Sequence, residues 1–215
     1  GNDRLRFLNS AKRILEEIDA IKEKRINDVE NALKELGAEA RISDDEAVLA
    51  DCEKIILPGV GAFPDAMEKL SSRGLVPVLQ RCAKEKPFLG ICLGMQVLFE
   101  EGEEFTLTKG LGLLPGRVVP IEAPGLKVPH MGWNGLVAEK SCPLTENLPE
   151  SPYVYFVHSF CAAPKDEVLV AWCEYGQKVP ALVWDGNCCF GAQFHPEKSG
   201  DVGLAILKNF AGLCR

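Results

Sequence analysis

The apolar positions of the chain follow two periods. Over residues 3–25, Leu5, Leu8, Ala11, Leu15, Ile18 and Ile21 recur three or four residues apart, the stripe of an amphipathic helix. Lys12 with Glu16 and Arg13 with Glu17 support its wet face at i,i+4 spacing. A second stripe, Val29, Ala32, Leu33 and Leu36, predicts a helix over residues 28–36 that stops at Gly37, a C-terminal cap. Beyond it the apolar residues come in short runs bounded by turn formers. Residues 54–57 precede Pro58-Gly59, 87–91 precede Cys92, 153–157 precede His158, and 189–194 precede His195. These runs predict strands. Helices are expected over 94–101 and 202–213, with loops and short strands over 120–149. In open α/β sheets ligands sit at the carboxyl ends of the strands, so strands that stop at reactive or glycine-rich residues predict one shared site there.

With 215 residues and 47% hydrophobic composition the chain can bury a sizeable core. A formal net charge of −7 argues against nucleic acid or an anionic membrane as the main partner, since both attract clustered Lys and Arg. The nine cysteines are odd in number and contain no CxxC pair, and the charged first residues do not resemble a signal peptide. Reduced thiols and a cytoplasmic location are therefore expected. No apolar run approaches the roughly 20 residues of a membrane-spanning helix. No Cys or His cluster has zinc spacing, so neither metal nor cofactor is expected. Pro58-Gly59-Val60-Gly61 lacks the lysine of a phosphate loop, and in Gly110-Leu111-Gly112-Leu113-Leu114-Pro115 a proline holds the third glycine position of a dinucleotide fingerprint.

The sharpest local signal is Phe88-Leu89-Gly90-Ile91-Cys92-Leu93-Gly94-Met95-Gln96. An apolar strand, a cysteine between spaced glycines and a helix start have the form of a nucleophile elbow, in which small flanking residues permit a tight strand-to-helix turn. The helix start lowers the thiol pKa, and the backbone N–H that follows can face an oxyanion. A buried structural cysteine competes with this interpretation. A thiol nucleophile needs a base, and the chain has three histidines, His130, His158 and His195. His195 is the strongest, because Pro196 ends the strand and Glu197 follows at a distance suited to orienting the imidazole. A surface His-Pro turn with a solvated Glu fits the same residues. The loop around Val60 is suited to presenting backbone N–H groups to negative charge.

Together, PGVGAF, GICLGMQ, HMGWN, YFVHSF and GAQFHPEKS, in this order, resemble the class I glutamine amidotransferases, and within them the glutaminase subunits of histidine biosynthesis. That resemblance implies an α/β fold, three-layered and flavodoxin-like, a mixed sheet flanked by helices. It implies Cys92 as nucleophile, His195 as acid and base, and Glu197 as orienting group in hydrolysis of glutamine through a γ-glutamyl thioester. It assigns the oxyanion hole to the backbone of Val60 and Leu93, and glutamine binding to Gly61, Gln96, Glu104, Ser159 and Phe160. It also implies a (β/α)8 cyclase subunit as heterodimeric partner, which joins the ammonia to a phosphorylated ribulosyl aminoimidazole carboxamide, with Trp133, Asn134 and Lys198 toward that interface. The chain departs from the family at its start. The usual hydrophobic first strand is missing, Gly1-Asn2 and 26–29 resemble the two sides of its motif, and the helical segment 3–25 is inserted between them. Residues 1–25 are thus expected as an atypical helical segment that covers the open sheet edge, and 26–215 as the amidotransferase domain. Another class I amidotransferase, a γ-glutamyl hydrolase acting alone, or a binding module that lost catalysis with its strand are the alternatives.

Overall fold

A computed structural model describes residues 6–9 and 20–213. Strands and helices alternate through the first half: β1 (Arg6–Asn9), α1 (Ala20–Glu35), β2 (Glu39–Ile42), α2 (Glu46–Asp51), β3 (Lys54–Gly59), α3 (Phe63–Ser72), α4 (Leu75–Glu85) and β4 (Phe88–Cys92). A single turn, α5 (Leu93–Gln96), follows Cys92 directly. The second half is mostly strand: β5 (Phe99–Gly102), β6 (Thr108–Lys109), β7 (Leu114–Pro120), β8 (His130–Gly135), β9 (Val137–Ala138), β10 (Tyr153–His158), β11 (Phe160–Pro164), β12 (Leu169–Glu174), β13 (Lys178–Trp184) and β14 (Cys189–Ala192), closed by α6 (Gly200–Gly212).

The main sheet has the order β2-β1-β3-β4-β14-β13-β12-β9. Its first five strands are parallel and its last three antiparallel. Alternation along the strands sorts their side chains to two faces. Ile55, Leu57 and Phe88 meet Leu49, Phe63, Met67, Val78 and Leu79 of α2, α3 and α4. Ile56, Leu89 and Ile91 meet Val29, Leu33, Ile206, Leu207 and Phe210 of α1 and α6. This is the three-layer mixed α/β arrangement that the sequence predicts. Two smaller sheets, β11-β7-β5-β6 and the pair β10-β8, stand beside the carboxyl rim. Among the described residues no helix is long and apolar enough to cross a membrane.

Several predicted ends are met closely. Gly37 takes a left-handed φ of 75° where α1 stops, with its N–H donated to Lys34 O and that of Ala38 to Leu33 O. The short helix α2 is tied at both ends. Asp45 Oδ1 accepts from the N–H groups of Ala47 and Val48, and buried Lys86 Nζ donates to the carbonyls of Leu49, Ala50 and Cys52 at 3.1, 2.7 and 2.7 Å.

Two expectations are corrected. Residues 6–9, expected within a helix, form β1, which pairs in parallel with β2 on one side and β3 on the other. The first-strand position is therefore filled rather than missing. An empty slot between β2 and β3 would leave two rows of backbone groups unpaired, a larger cost than the helical preference of four residues. The expected stripe positions Leu5, Ala11, Leu15 and Ile18 lie outside the described residues. The helix α1 begins at Ala20 and runs on across residue 25. The helix expected over 94–101 is the second correction: it ends at Gln96, and Phe99–Gly102 is strand paired to both β6 and β7. Phe99 is fully buried there, and Gly102 lies so close to the Phe63 ring that a Cβ would stand 2.7 Å from it. Tertiary packing thus overrides the local helical pattern.

Candidate active site

Cys92 ends the central strand β4 at its carboxyl rim, paired with Gly59 of β3, and the preceding Ile91 pairs with Ala192 of β14. Its backbone is forced to φ 55°, ψ −113°, a region that L residues avoid and that persists only when the surroundings impose it. The flanking glycines show what imposes it. A Cβ on Gly90 would lie 2.4 Å from Gly94 O, and one on Gly94 would lie 1.7 Å from Leu57 O. The G-x-C-x-G spacing is therefore the condition for α5 to turn back against β3 and β4, leaving the sulfur at the tip. Leu93 is the first residue of α5, so its N–H has no acceptor within the helix.

After β14 the chain continues through Gln193 and Phe194 to His195. Pro196–Lys198 then form one turn of 3-10 helix. Ser199 sets this turn: its hydroxyl donates to His195 O at 2.7 Å and accepts from Tyr155 N at 3.0 Å, while His195 N donates to Tyr155 O. The imidazole is buried. Its Nδ1 is 2.9 Å from Glu197 Oε1, and the ring also hydrogen-bonds the Cys92 side chain. Burial works against charge on this ring, but the adjacent sulfur and the Glu197 carboxylate outweigh it and raise the pKa to about 9. Glu197 Oε2 is buried without a hydrogen-bond partner.

A cavity of about 260 Å³ opens beside the sulfur, lined by Val60, Gly61, Cys92, Leu93, Gln96, Glu104, Val157, His158, Ser159 and Phe160. All seven residues that the sequence assigns to the oxyanion hole and to substrate binding are among these ten. Gly61 has φ 114°, a conformation open to glycine at no steric cost. Glu104 Oε2 accepts the Phe63 N–H at 2.8 Å, and partial burial raises its carboxyl pKa against that hydrogen bond. Gln96 Nε2 donates to Phe160 O at 3.0 Å and to Gln193 Oε1 at 3.1 Å. A cavity with an acid, an amide and a sulfur at successive points of its wall suits a small zwitterion carrying a carbonyl. Among the described residues no group of three or more His, Cys, Asp or Glu is placed to hold a metal.

His130 and His158, the other candidate bases, form a pair instead, Nδ1 of the first 3.0 Å from Nε2 of the second. Because Phe160 O can only accept, His158 Nδ1–H donates to it at 2.7 Å, which leaves His158 Nε2 to accept from His130 Nδ1–H. Burial holds both rings neutral, lowering the pKa of His130 to about 4 and that of His158 to about 3. The pair joins β8 to β10. On the outer face of that ribbon Trp133 and Tyr155 pair across the strands, with ring centroids 6.0 Å apart, and Met131 and Trp133 are more than half exposed. Asn134 points inward, its amide donating to Glu174 O, and Lys198 sits half-buried in the turn after His195. Gln193 and Ser199 were not singled out as site residues in the sequence. A polar residue interrupting the apolar run 189–194, as Gln193 does, was the available signal, and the structure buries it fully.

The profile of the family Glutamine amidotransferase class-I matches residues 22–212. An imidazole glycerol phosphate synthase subunit HisH from Desulfitobacterium hafniense is 53% identical over 187 residues, 86% of this chain and 88% of that one. The subunit of the same name from Bacillus cytotoxicus is 48% identical over 191 residues, covering 88% and 90%. A solved glutamine amidotransferase structure superposes with a TM-score of 0.71 at 21% identity over 97% of this chain and 100% of that one, a likeness of fold. With a strained Cys92 hydrogen-bonded to a buried His-Glu pair, and with these relatives, the chain belongs to the class I glutamine amidotransferases, in the group of HisH subunits of imidazole glycerol phosphate synthase.

Proposed function

We propose that this chain is the glutaminase subunit of an imidazole glycerol phosphate synthase, with Cys92 as nucleophile, His195 as general acid and base, and Glu197 as the group that orients His195. The observation that carries this is the position of the Cys92 sulfur: at a strained turn, on the cavity wall, hydrogen-bonded to an imidazole whose other nitrogen faces a buried carboxylate. The Cys92 thiolate attacks the amide carbon of glutamine, and the N–H groups of Val60 and Leu93 face the oxyanion. Collapse breaks the C–N bond, ammonia leaves with a proton from the His195 imidazolium, and a γ-glutamyl thioester remains. His195 then takes a proton from water, hydroxide attacks the thioester, and glutamate departs as the proton returns to the sulfur. Glu104 and the Gln96 carbonyl oxygen take the α-ammonium group of glutamine, and Gly61, Ser159 and Phe160 lie about its carboxylate.

Ammonia then passes to a (β/α)8 cyclase subunit. The exposed aromatic face of β8 and β10, with Trp133 at its centre, Lys198 beside it and Asn134 on the inner face of the same strand, is the region proposed for that partner; large aromatics mark interface anchors. Two measurements test the proposal. Glutaminase turnover should rise on adding the purified cyclase, whereas a stand-alone γ-glutamyl hydrolase would be unaffected. Cys92→Ala should abolish glutamine-dependent synthesis by the complex and spare ammonia-dependent synthesis. Equal loss of both would contradict the role given to Cys92.

A further inference from the structure

Gln193 is fully buried behind the cavity wall, against its residues Cys92 and Gln96, and its Nε2 lies 3.7 Å from Cys92 Sγ. Which end of this amide faces the sulfur follows from a chain of constraints that begins on the backbone. The Phe160 carbonyl can only accept, so the Gln96 amide must turn its NH2 group toward it. The same NH2 then offers its second hydrogen to Gln193, whose oxygen must face Gln96. Gln193 is left with its own NH2 group toward the sulfur. Swapping either amide end for end would set two acceptors or two donors against each other inside a buried network, at the cost of unmatched polar groups.

We propose that Gln193 is a positioning residue for the nucleophile: its side-chain N–H donates to Cys92 Sγ, holds the sulfur between the imidazole and the cavity, and favours the thiolate over the thiol. An N–H donor aimed at a group that becomes an anion lowers the pKa of that group. The role rests on Cys92 being the nucleophile. It also ties that nucleophile to substrate binding, because the amide that orients Gln193 belongs to Gln96 on the cavity wall. The titratable groups around the sulfur are His195, with Glu197 behind it, and His158 and Glu104 on the cavity wall.

The test is the pH dependence of Cys92 alkylation by iodoacetamide in the full chain, followed by mass mapping of the Cys92 peptide, in the parent and in two variants. Gln193→Met removes the donor at similar length, and should raise the alkylation midpoint by about one pH unit, so that about tenfold less thiolate forms below it. Gln193→Glu is nearly isosteric and keeps an acceptor for Gln96 but turns a carboxylate oxygen toward the sulfur, and should raise the midpoint further. The acid limb of the glutaminase kcat/KM profile of either variant should move up in pH with the alkylation midpoint, while the alkaline decline set by His195 remains, a signature that a purely structural role does not produce. Unchanged midpoints in folded variants, or loss of fold in both by circular dichroism, would overturn the proposal. If Cys92 of the parent reacts no faster than the half-exposed Cys188, the nucleophile assignment fails first and takes this one with it.

Discussion

Gly94 and Cys92 depend on each other through a contact of atomic dimensions. A methyl group at 94 would occupy the space of Leu57 O, so Gly94→Ala has to displace α5 or β3, and both carry the site. The expected cost is about 3 kcal/mol or more, together with loss of glutaminase activity, measured by urea unfolding and turnover. The His195-Glu197 pair is electrostatic in a different way. A neutral amide in Glu197→Gln can accept the Nδ1–H but cannot balance an imidazolium, so kcat should fall by about two to four orders of magnitude while the protein stays folded. Since His195 has a folded pKa near 9, above the ordinary imidazole value of 6.5, the stabilisation from its charged form is complete below 6.5 and lost as pH rises through 9. In the proposed mechanism the imidazolium is also the form that delivers a proton to ammonia. Activity should therefore decline through the same alkaline range, and a pH–kcat/KM profile flat to pH 10 would contradict the assignment.

At the scale of elements, the informative cases are short ones. Four residues in β1 have little intrinsic preference for a strand; neighbours on both sides supply it. If the pairing is right, amides of residues 7–9 are protected in native-state hydrogen exchange, and exchange at the rate of an exposed chain would contradict it. The six residues of α2 are likewise too few to be stable alone, and Lys86 supplies donors for three carbonyls at its end. Replacing it by Met should cost about 2–3 kcal/mol in unfolding free energy, because buried carbonyls lose their donor while the apolar part of the side chain is kept.

The whole molecule carries an acid-sensitive joint within one of its smaller sheets, between β8 and β10. His130 and His158 are neutral in the fold at neutral pH, and the unfolded chain protonates them near 6.5. Their folded pKa values are lowered, so stability falls as pH drops from about 6.5 toward 4, by about 1.4 kcal/mol per pH unit for each ring. His158→Gln should lose stability at pH 7.5 yet lose less on going to pH 5 than the parent. A difference between the two proteins that stays constant with pH would remove these rings as its source. The aromatic face of β8 and β10, the surface proposed for the cyclase, stands on the same joint, so acid should weaken that proposed binding and the fold together.

Much of the site was legible in the sequence because its chemistry is tied to local backbone rules. A cysteine framed by glycines two residues away on each side admits few backbone courses, and a histidine followed by proline and glutamate keeps its partner within a single turn. Strand ends and the Gly37 cap followed from the same short-range logic, and the three-layer order from the family resemblance. What only the tertiary structure decided involves partners distant along the chain: the occupant of the slot between β2 and β3, the early end of α5 with strand β5 packed against Phe63 after it, and the direction of the hydrogen bonds from Phe160 through Gln96 and Gln193 to the sulfur. Periodicity describes one segment at a time. Which row of unpaired backbone groups a strand will fill, and which end of a buried amide will face a thiol, are set by free-energy differences that exist only when several segments are packed together.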